Sequence, residues 1–266
     1  MVASGKNLRR VVMVAGAVAL SASFAAAQGT VRPCTADENG DGDHRRLCEV
    51  REMTIPAAAS LAVDGRVNGG VSVEGEERSD IAIEAVVQVW GGSEADQKER
   101  MQKVHILTDG AKVRSEGPRD KYSVSYRIKA PVKTSVDAKA ENGGIEFTKL
   151  DGQLRFNTTN GGVELTDVAG DVKGETTNGG LDIKLSGRRW VGAGLNAQTT
   201  NGGVELALPK DYGAHLEAST VNGGFEIEPA IVMQGKMKNS ISGDIGGGGP
   251  TLKLDTVNGG VEVTTR

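Results

Sequence analysis

Residues 158–165 read Thr-Thr-Asn-Gly-Gly-Val-Glu-Leu, and close copies of this stretch recur along the chain. Asn-Gly-Gly occurs seven times, and from the second copy onward the successive spacings of the asparagines are 18, 18, 23, 21 and 36. Self-similarity with a period of about 20 residues is typical of a solenoid, in which each repeat stacks on its neighbours. The asparagines are Asn68, Asn142, Asn160, Asn178, Asn201, Asn222 and Asn258.

Apolar residues alternate with polar ones on both sides of each Asn-Gly-Gly. Around Asn160 they stand six and four residues before the asparagine, at Leu154 and Phe156, and three and five residues after it, at Val163 and Leu165. Alternation with period two predicts strands with one buried face. The change from even to odd spacing predicts a corner, for which the glycines would supply positive φ angles. Stacked corners would also align the asparagine amides into a ladder.

Two arrangements of these strands are compatible with the motif. Asn-Gly is the strongest short signal for a β-hairpin, so a hairpin-based sheet stays open. The repeat length and the similar size of the inward residues from copy to copy favour coils. We therefore predict an all-β fold with one short helix, a β-solenoid built as a single-stranded β-helix-like stack. Its structural corners are Asn142, Asn160, Asn178, Asn201, Asn222 and Asn258.

The part of the chain before the regular repeats contains further alternating runs, at 60–73 and 81–89. Residues 93–102 lack β-formers, and Ser93 followed by acidic residues predicts a short helix. Residues 228–250 interrupt the repeats as a loop or capping excursion. We divide the chain into a signal peptide (1–27), an acidic disulfide loop (28–48) and a solenoid domain (49–266), with N-terminal strands and helix (49–130) before the regular coils (131–266).

The start of the chain has the pattern of a secretory signal. Lys6, Arg9 and Arg10 precede an apolar run that ends in three alanines, and the alternative, a membrane anchor, would need a longer run. Removing residues 1–27 leaves 28 basic and 35 acidic residues, a net charge of −7. We predict an exported protein, periplasmic or extracellular at the cell surface, with no membrane span after cleavage. The acidic charge argues against nucleic acid as a partner.

Cys34 and Cys48 are the two cysteines, and in an oxidising compartment we expect them to form a disulfide. With 13 residues between them, the closed loop would stabilise the fold by about 3 kcal/mol. The loop has oxygen ligands at alternate positions, which is half of a calcium-binding motif, but Cys48 stands where a glutamate is expected. Calcium binding and a solvated acidic loop both stay open, and no other cofactor is predicted. The candidate ligands are Asp37, Asn39, Asp41 and Asp43.

An acidic residue follows the first apolar residue of every coil. In a stack these carboxylates would form a column at strand spacing, where like charges destabilise one another. The column would either bind cations or a cationic partner, or be neutralised by neighbouring residues such as Lys184, Arg155 and Lys173. If the column binds calcium, we expect calcium to raise the melting temperature. Its members are Glu146, Glu164, Asp182, Glu205, Glu226 and Glu262.

The sequence offers little that is typical of an enzyme. Its three histidines, His44, His105 and His215, have no metal-ligand spacing, and no nucleophile elbow or phosphate loop is present. We therefore predict no catalytic residues and a non-enzymatic interaction or structural module, with an envelope protein or a surface glycan as partner. The alternative is a calcium-assisted, polysaccharide-active enzyme of the β-helix type.

The order of these features resembles a known bacterial family. N-terminal strands and a short helix precede residues 158–165 and their equivalents, which begin at Thr176, Thr199, Thr220 and Thr256. This pattern over residues 49–266 resembles the putative-adhesin family of unknown function, also called the toastrack domain. The resemblance implies a right-handed or toast-rack-like β-solenoid at or outside the cell envelope. Family members are often attached to envelope-stress or membrane systems.

Overall fold

The alternating segments form two large sheets that face each other across one apolar core. The structure, a computed structural model, describes residues 29–39, 46–233 and 239–266. Within these ranges each sheet has eleven strands. Across the first sheet they are β1 (Thr30–Pro33), β2 (Arg46–Pro56), β5 (Asp80–Trp90), β8 (Tyr122–Pro131), β4 (Val71–Glu76), β10 (Ile145–Thr148), β12 (Val163–Thr166), β14 (Leu181–Lys184), β16 (Val204–Leu208), β22 (Val261–Thr265) and β18 (Phe225–Ile227). Across the second sheet they are β19 (Ile231–Met233), β20 (Ser240–Ile245), β17 (Ala214–Asn222), β21 (Thr251–Asn258), β15 (Gly194–Asn201), β13 (Ala169–Asn178), β11 (Asp151–Asn160), β9 (Ser135–Asn142), β3 (Ser60–Asp64), β7 (Lys112–Glu116) and β6 (His105–Asp109).

Each coil contributes one strand to each sheet, so the protein is a β-solenoid as predicted. The coil of Asn160 follows β11 in the second sheet, turns at Asn-Gly-Gly and follows β12 in the first sheet. Its asparagine lies in register with Asn142 on one side and Asn178 on the other. These pairings are all parallel. The repeats are therefore stacked coils, and the hairpin alternative is wrong.

The predicted change of parity at the corner is confirmed by burial. Leu154 and Phe156 before the corner are 0% and 2% exposed, and Val163 and Leu165 after it are 2% and 0% exposed. The parity changes because the chain passes from one sheet to the other while both inward faces point at the same core. The return corner of this coil places Asp167 at a φ of 53°.

The corner glycines are required for a reason other than the predicted one. Of these glycines, Gly69 alone has a positive φ, 155°, so the expectation of positive φ at the other corners is wrong. At Gly161 a Cβ atom would instead lie well inside 3.0 Å of the carbonyl oxygen of Gly143, a separation that Cβ atoms do not adopt. The first glycine of each pair therefore permits neighbouring coils to approach at strand spacing.

Two ladders of polar side chains hold the corners together. Asn160 Nδ2 donates to Asn142 Oδ1 at 2.8 Å, and Asn178 Nδ2 donates to Asn160 Oδ1 at 2.8 Å, as the predicted amide ladder requires. Two residues before five of the asparagines, a buried threonine donates to the first corner glycine of the preceding coil in the stack, as Thr158 Oγ1 does to Gly143 O at 2.8 Å. The same threonine bond recurs at Thr176, Thr199, Thr220 and Thr256.

The order of coils in the stack differs from their order in the chain. The last strands, β21 and β22, lie between the coil of Asn201 and the coil of Asn222. Asn258 donates to Asn201 Oδ1 and accepts from Asn222 Nδ2, each at 2.8 Å. The C-terminal coil is thus an interior layer, and the coil of Asn222 is the terminal one.

The N-terminal part of the chain closes the other end of the stack. The first Asn-Gly-Gly copy joins the stack through a parallel bridge between Asn68 and Asn142. Beyond it β5 pairs antiparallel with both β2 and β8. The helices of the described ranges are α1 (Ala36–Asn39) and α2 (Glu94–Gln102). Ser93 caps α2 as predicted, since its Oγ accepts from the Asp96 N–H at 3.2 Å.

The described parts of the interruption at residues 228–250, which are 228–233 and 239–250, form a cap at the edge of the second sheet. β20 pairs antiparallel with β17, and β19 pairs antiparallel with β20. Ile241 and Ile245 from β20 are 5% and 2% exposed, so this cap covers the edge of the core. In the ranges described here, no helix has both the length and the apolar character needed to cross a bilayer. The predicted signal peptide lies outside those ranges.

Candidate functional site

The six acidic residues that follow the corners stand in one column on the outer face of the first sheet. Glu146 pairs in register with Glu164, Glu164 with Asp182, and Asp182 with Glu205. Because the last coil is interior, Glu262 lies between Glu205 and Glu226. The column is therefore continuous over six coils, at a spacing of about 4.8 Å.

An open groove, here called the corner groove, runs beside this column. One stretch has a volume of about 710 Å³, and a second stretch at the end of the stack has about 380 Å³. The floor is backbone, because the second glycine of each corner lies there. The acidic column forms one side. The floor glycines are Gly70, Gly144, Gly162, Gly180, Gly203, Gly224 and Gly260.

The column carries little compensating charge. Lys184 Nζ lies 3.0 Å from Glu164 Oε1 and 2.8 Å from Asp182 Oδ2. The described residues make no other ion pair with the column. Arg155 and Lys173, expected as possible neutralising residues, lie on the second sheet and pair with Asp171 instead. Four of the six carboxylates are thus left without an ion-pair partner in the described ranges, which makes this face strongly attractive to cations.

The N-terminal segment contacts one end of the corner groove through an ion pair. Arg127 on β8 lines that end and donates to Glu38 Oε1 at 2.8 Å. Glu38, in α1, also accepts from Arg32 at 2.8 and 2.9 Å and from the Thr35 N–H at 2.8 Å. Its side chain is only 6% exposed. These bonds, the one from Arg32 first, hold the pKa of Glu38 far below its usual range.

The disulfide lies next to this ion cluster. Cys34 and Cys48 are bonded, with their Cα atoms 5.6 Å apart. Cys34 follows β1 and Cys48 lies within β2. The covalent link and the Glu38 ion pairs together fix the N-terminal segment onto the first sheet. Through the Glu38–Arg127 pair, that segment is fastened to the end of the corner groove that Arg127 lines.

We expect Glu38→Gln to lower the free energy of unfolding by about 2 kcal/mol at neutral pH, because the charged hydrogen bonds are lost. A carboxyl whose pKa is lowered in the folded state stabilises it above the pKa of the unfolded chain, and this contribution disappears on acidification. Urea unfolding should therefore show the difference between wild type and variant shrinking below about pH 4.3. Glu77→Gln is the matched control, since the structure gives exposed Glu77 no ion pair. A pH-independent difference would contradict the prediction.

The predicted calcium ligands of the disulfide loop are only partly visible. Asp37 is exposed in the first turn of α1. The side chain of Asn39 and all of Asp41 and Asp43 lie outside the described residues. Within the ranges that are described, no three His, Cys, Asp or Glu side chains are placed to hold one metal ion. Calcium binding, by the loop or by the column, stays a prediction.

One polar cluster was missed by sequence reasoning. His215 Nδ1 lies 2.7 Å from Asp244 Oδ1, and Ser242 Oγ lies 3.2 Å from His215 Nε2. These residues are 27 and 29 positions apart in the chain, and the antiparallel pairing of β17 with β20 brings them together. The cluster fastens the cap to the stack on the outer face of the second sheet. The sequence signal was the alternation at residues 240–245, which predicts a strand but not its partner.

Comparison with known proteins gives one family match. The family described as Toastrack DUF4097 matches residues 125–264. A search of curated proteins found no significant match.

Several solved structures are similar in part. A putative cell adhesion protein from Clostridium sporogenes has a TM-score of 0.42 at 11% identity, covering 82% of this chain and 100% of that one. A putative adhesin from Bacteroides fragilis has a TM-score of 0.37 at 10% identity, covering 82% and 97%. A putative lipid binding protein from Parabacteroides distasonis has a TM-score of 0.33 at 10% identity, covering 84% and 98%.

Proposed function

Since this chain belongs to the Toastrack DUF4097 family, we propose that it is a non-enzymatic interaction module, exported to the cell envelope, whose corner groove binds an extended, positively charged segment of a partner. The observation that carries the proposal is the continuous acidic column beside a backbone-floored groove. The same geometry repeated over six coils recognises an extended chain better than a compact molecule.

The charge of the groove defines the chemistry of the occupant. Exposed carboxylates at about 4.8 Å intervals repel one another and destabilise the fold. A bound cationic ligand would reduce this electrostatic repulsion. Five intervals make the column about 24 Å long. An extended peptide of about eight residues reaches about 26–29 Å. A basic segment of that length therefore matches the groove.

Export is supported by two features of the chain. Residues 1–27 have the pattern of a secretory signal. Cys34 and Cys48 form a disulfide, which persists in oxidising compartments. We propose a periplasmic or cell-surface location. Cell fractionation with an antibody against the mature chain tests it, and a cytoplasmic pool of uncleaved protein would contradict it.

We expect an octalysine peptide to bind wild-type protein, measured by fluorescence anisotropy, and to bind more weakly as salt is added. The triple variant Glu146→Gln, Glu205→Gln, Glu226→Gln, which neutralises three column carboxylates that Lys184 does not pair with, should lose about tenfold in affinity, because exposed charge pairs contribute about 0.5 kcal/mol each. The matched control neutralises three exposed acids away from the groove: Asp137→Asn, Glu141→Gln and Glu175→Gln. Equal losses of affinity in both variants would mean that the peptide responds only to the net charge of the protein. That result would overturn the groove as the binding site.

The natural partner can be sought with the same three proteins. Each is immobilised and exposed to an envelope extract. A partner that is captured by wild type and the control variant but lost by the groove variant is the one that the proposal requires. A partner retained equally by all three binds elsewhere.

Two further experiments test the alternatives to a peptide-binding module, which are enzymatic activity on polysaccharides and calcium binding by the column. Incubation with acidic polysaccharides, with and without calcium, should give no unsaturated product, and such a product would overturn the non-enzymatic assignment. Thermal melting across millimolar calcium tests the column as a metal site. An unchanged melting curve would remove calcium as its occupant, and a rise that the groove variant abolishes would replace the cationic peptide by calcium.

A further inference from the structure

The corner asparagines are each followed by glycine, the pair in which spontaneous deamidation is least hindered, because glycine has no side chain to block its own nitrogen. In that reaction the glycine backbone nitrogen loses its proton to hydroxide and attacks the asparagine Cγ. The side-chain nitrogen leaves as ammonia and a succinimide ring forms. Water then opens the ring to aspartate or isoaspartate, so that one water is consumed and one ammonia released.

Interior members of the amide ladder are held away from this reaction. Asn178 Nδ2 donates to Asn160 Oδ1 and Asn178 Oδ1 accepts from Asn201 Nδ2, both at 2.8 Å. The N–H of Gly179, whose nitrogen would have to attack, donates to Asn201 O at 3.0 Å. Attack therefore requires the coil to open first. The deamidation rate of the open coil is then multiplied by the equilibrium constant for local opening, which is much smaller than one. Asn160, Asn201 and Asn258 have the same three bonds.

Asn222 ends the ladder and has one of the three bonds among residues 29–39, 46–233 and 239–266. Its Nδ2 donates to Asn258 Oδ1 at 2.8 Å. Among the described residues, nothing donates to Asn222 Oδ1 and nothing accepts from the Gly223 N–H. Where the structure describes the chain, the flank is open as well, since a Cβ atom at Gly224 would meet none of these residues within 4 Å.

We propose that Asn222 is a modification site, the ladder asparagine at which the folded chain deamidates first. The Asn222 carbonyl oxygen is held by the Gly259 N–H at 3.1 Å, whereas the attacking Gly223 nitrogen has no acceptor within the described part of the chain, unlike its equivalents in the interior coils. Deamidation there removes the amide donor to Asn258. Isoaspartate also adds one atom to the backbone and breaks the register between β17 and β21.

The two remaining ladder members are intermediate cases. Asn68 ends the ladder on the other side, but Gly69 N–H donates to Asn142 O at 3.3 Å and Val124 N–H donates to Asn68 O at 3.0 Å. Asn142 has no bond from the Gly143 N–H within the described chain, but coils pack on both of its sides. Both should deamidate more slowly than Asn222.

The experiment compares all ladder sites within one molecule. The full chain is incubated folded, and separately in guanidinium chloride, in mildly alkaline buffer at physiological temperature. A Lys or Arg lies between every two Asn-Gly pairs, so each pair falls in its own tryptic peptide and mass spectrometry reads the replacement of NH2 by OH site by site. Asn39–Gly40 gives a separate peptide and does not enter the comparison.

In guanidinium chloride all ladder sites should react at similar rates, because each asparagine is followed by the same Gly-Gly and the attacking nitrogen belongs to the first of these glycines. In the folded protein Asn222 should deamidate at close to its rate in guanidinium chloride. The four interior sites should deamidate at least about tenfold more slowly than they do in guanidinium chloride. Asn222→Gln should remove the signal from that peptide and leave the others unchanged. An interior site that reacts as fast as Asn222, or equal protection at Asn222, would overturn the proposal.

Discussion

Replacing Gly161 by alanine is expected to lower the free energy of unfolding by at least about 3 kcal/mol. The new methyl group would meet the carbonyl oxygen and carbon of Gly143 well inside 3.0 Å. Both partners are backbone atoms of a parallel ladder, so neither can move without breaking the Thr158 bond to Gly143 O or the amide ladder. Overpacking of this kind has no flexible side chain to relieve it.

Gly162→Ala is the matched control for Gly161→Ala. A Cβ atom there would lie 3.6 Å from Gly180 O, which is ordinary van der Waals contact, and Gly162 does not have a positive φ. Its exposed position should limit the change to within about 0.5 kcal/mol. Chemical denaturation of both variants measures the difference. Equal destabilisation would show that the corner needs glycine for its backbone conformation and not for close approach.

A chain that ends at residue 250 is expected to lose cooperative folding. The C-terminal coil is an interior layer, and Leu252, Leu254, Val261 and Val263 are 0–1% exposed. Burial of each contributes about 1.5–3 kcal/mol, or about 6–12 kcal/mol together. That is comparable with the whole stability of a domain, about 5–15 kcal/mol. In a solenoid whose last coil lay at the end of the stack, the same deletion would only shorten it.

Thermal melting and size-exclusion chromatography of the shortened chain provide the measurement. Two point variants in the same strand act as internal controls. Leu254→Ala should cost about 2–5 kcal/mol because the side chain is fully buried. Val257→Ala should cost little, since Val257 is 39% exposed. A monomeric shortened chain with a wild-type melting temperature would contradict the interior position of this coil.

The strands and corners could be predicted because their signals are local. Leu154, Phe156, Val163 and Leu165 alternate within one repeat, and burial follows the alternation on both sides of Asn160. The acidic column followed from the same alignment, since Glu146 and Glu164 occupy the same position in successive copies. Periodic residues that point to one face need no knowledge of distant neighbours.

The order of the coils could not be predicted from the repeat itself. Asn222 and Asn258 belong to copies with the same threonine, the same glycines and the same acidic position, so either could follow the coil of Asn201. The choice depends on the antiparallel cap that β20 forms with β17, which occupies the outer edge of that strand. The role of the glycines was hidden for a similar reason, because positive φ and close approach select the same residue.

The position of the two ends has a consequence for how such a molecule changes in length over evolution. Both ends of the stack are covered by other parts of the chain. The N-terminal strands cover one end, and the cap, together with the interleaved last coil, forms the other. The coils of Asn142, Asn160 and Asn178 are evenly spaced along the chain and are bounded only by copies of themselves. A tandem duplication of residues 161–178 would enter there without disturbing either end. Each duplication would extend the groove by about 4.8 Å and add one carboxylate. The number of central repeats in the gene would therefore set the length of the segment that the groove can bind.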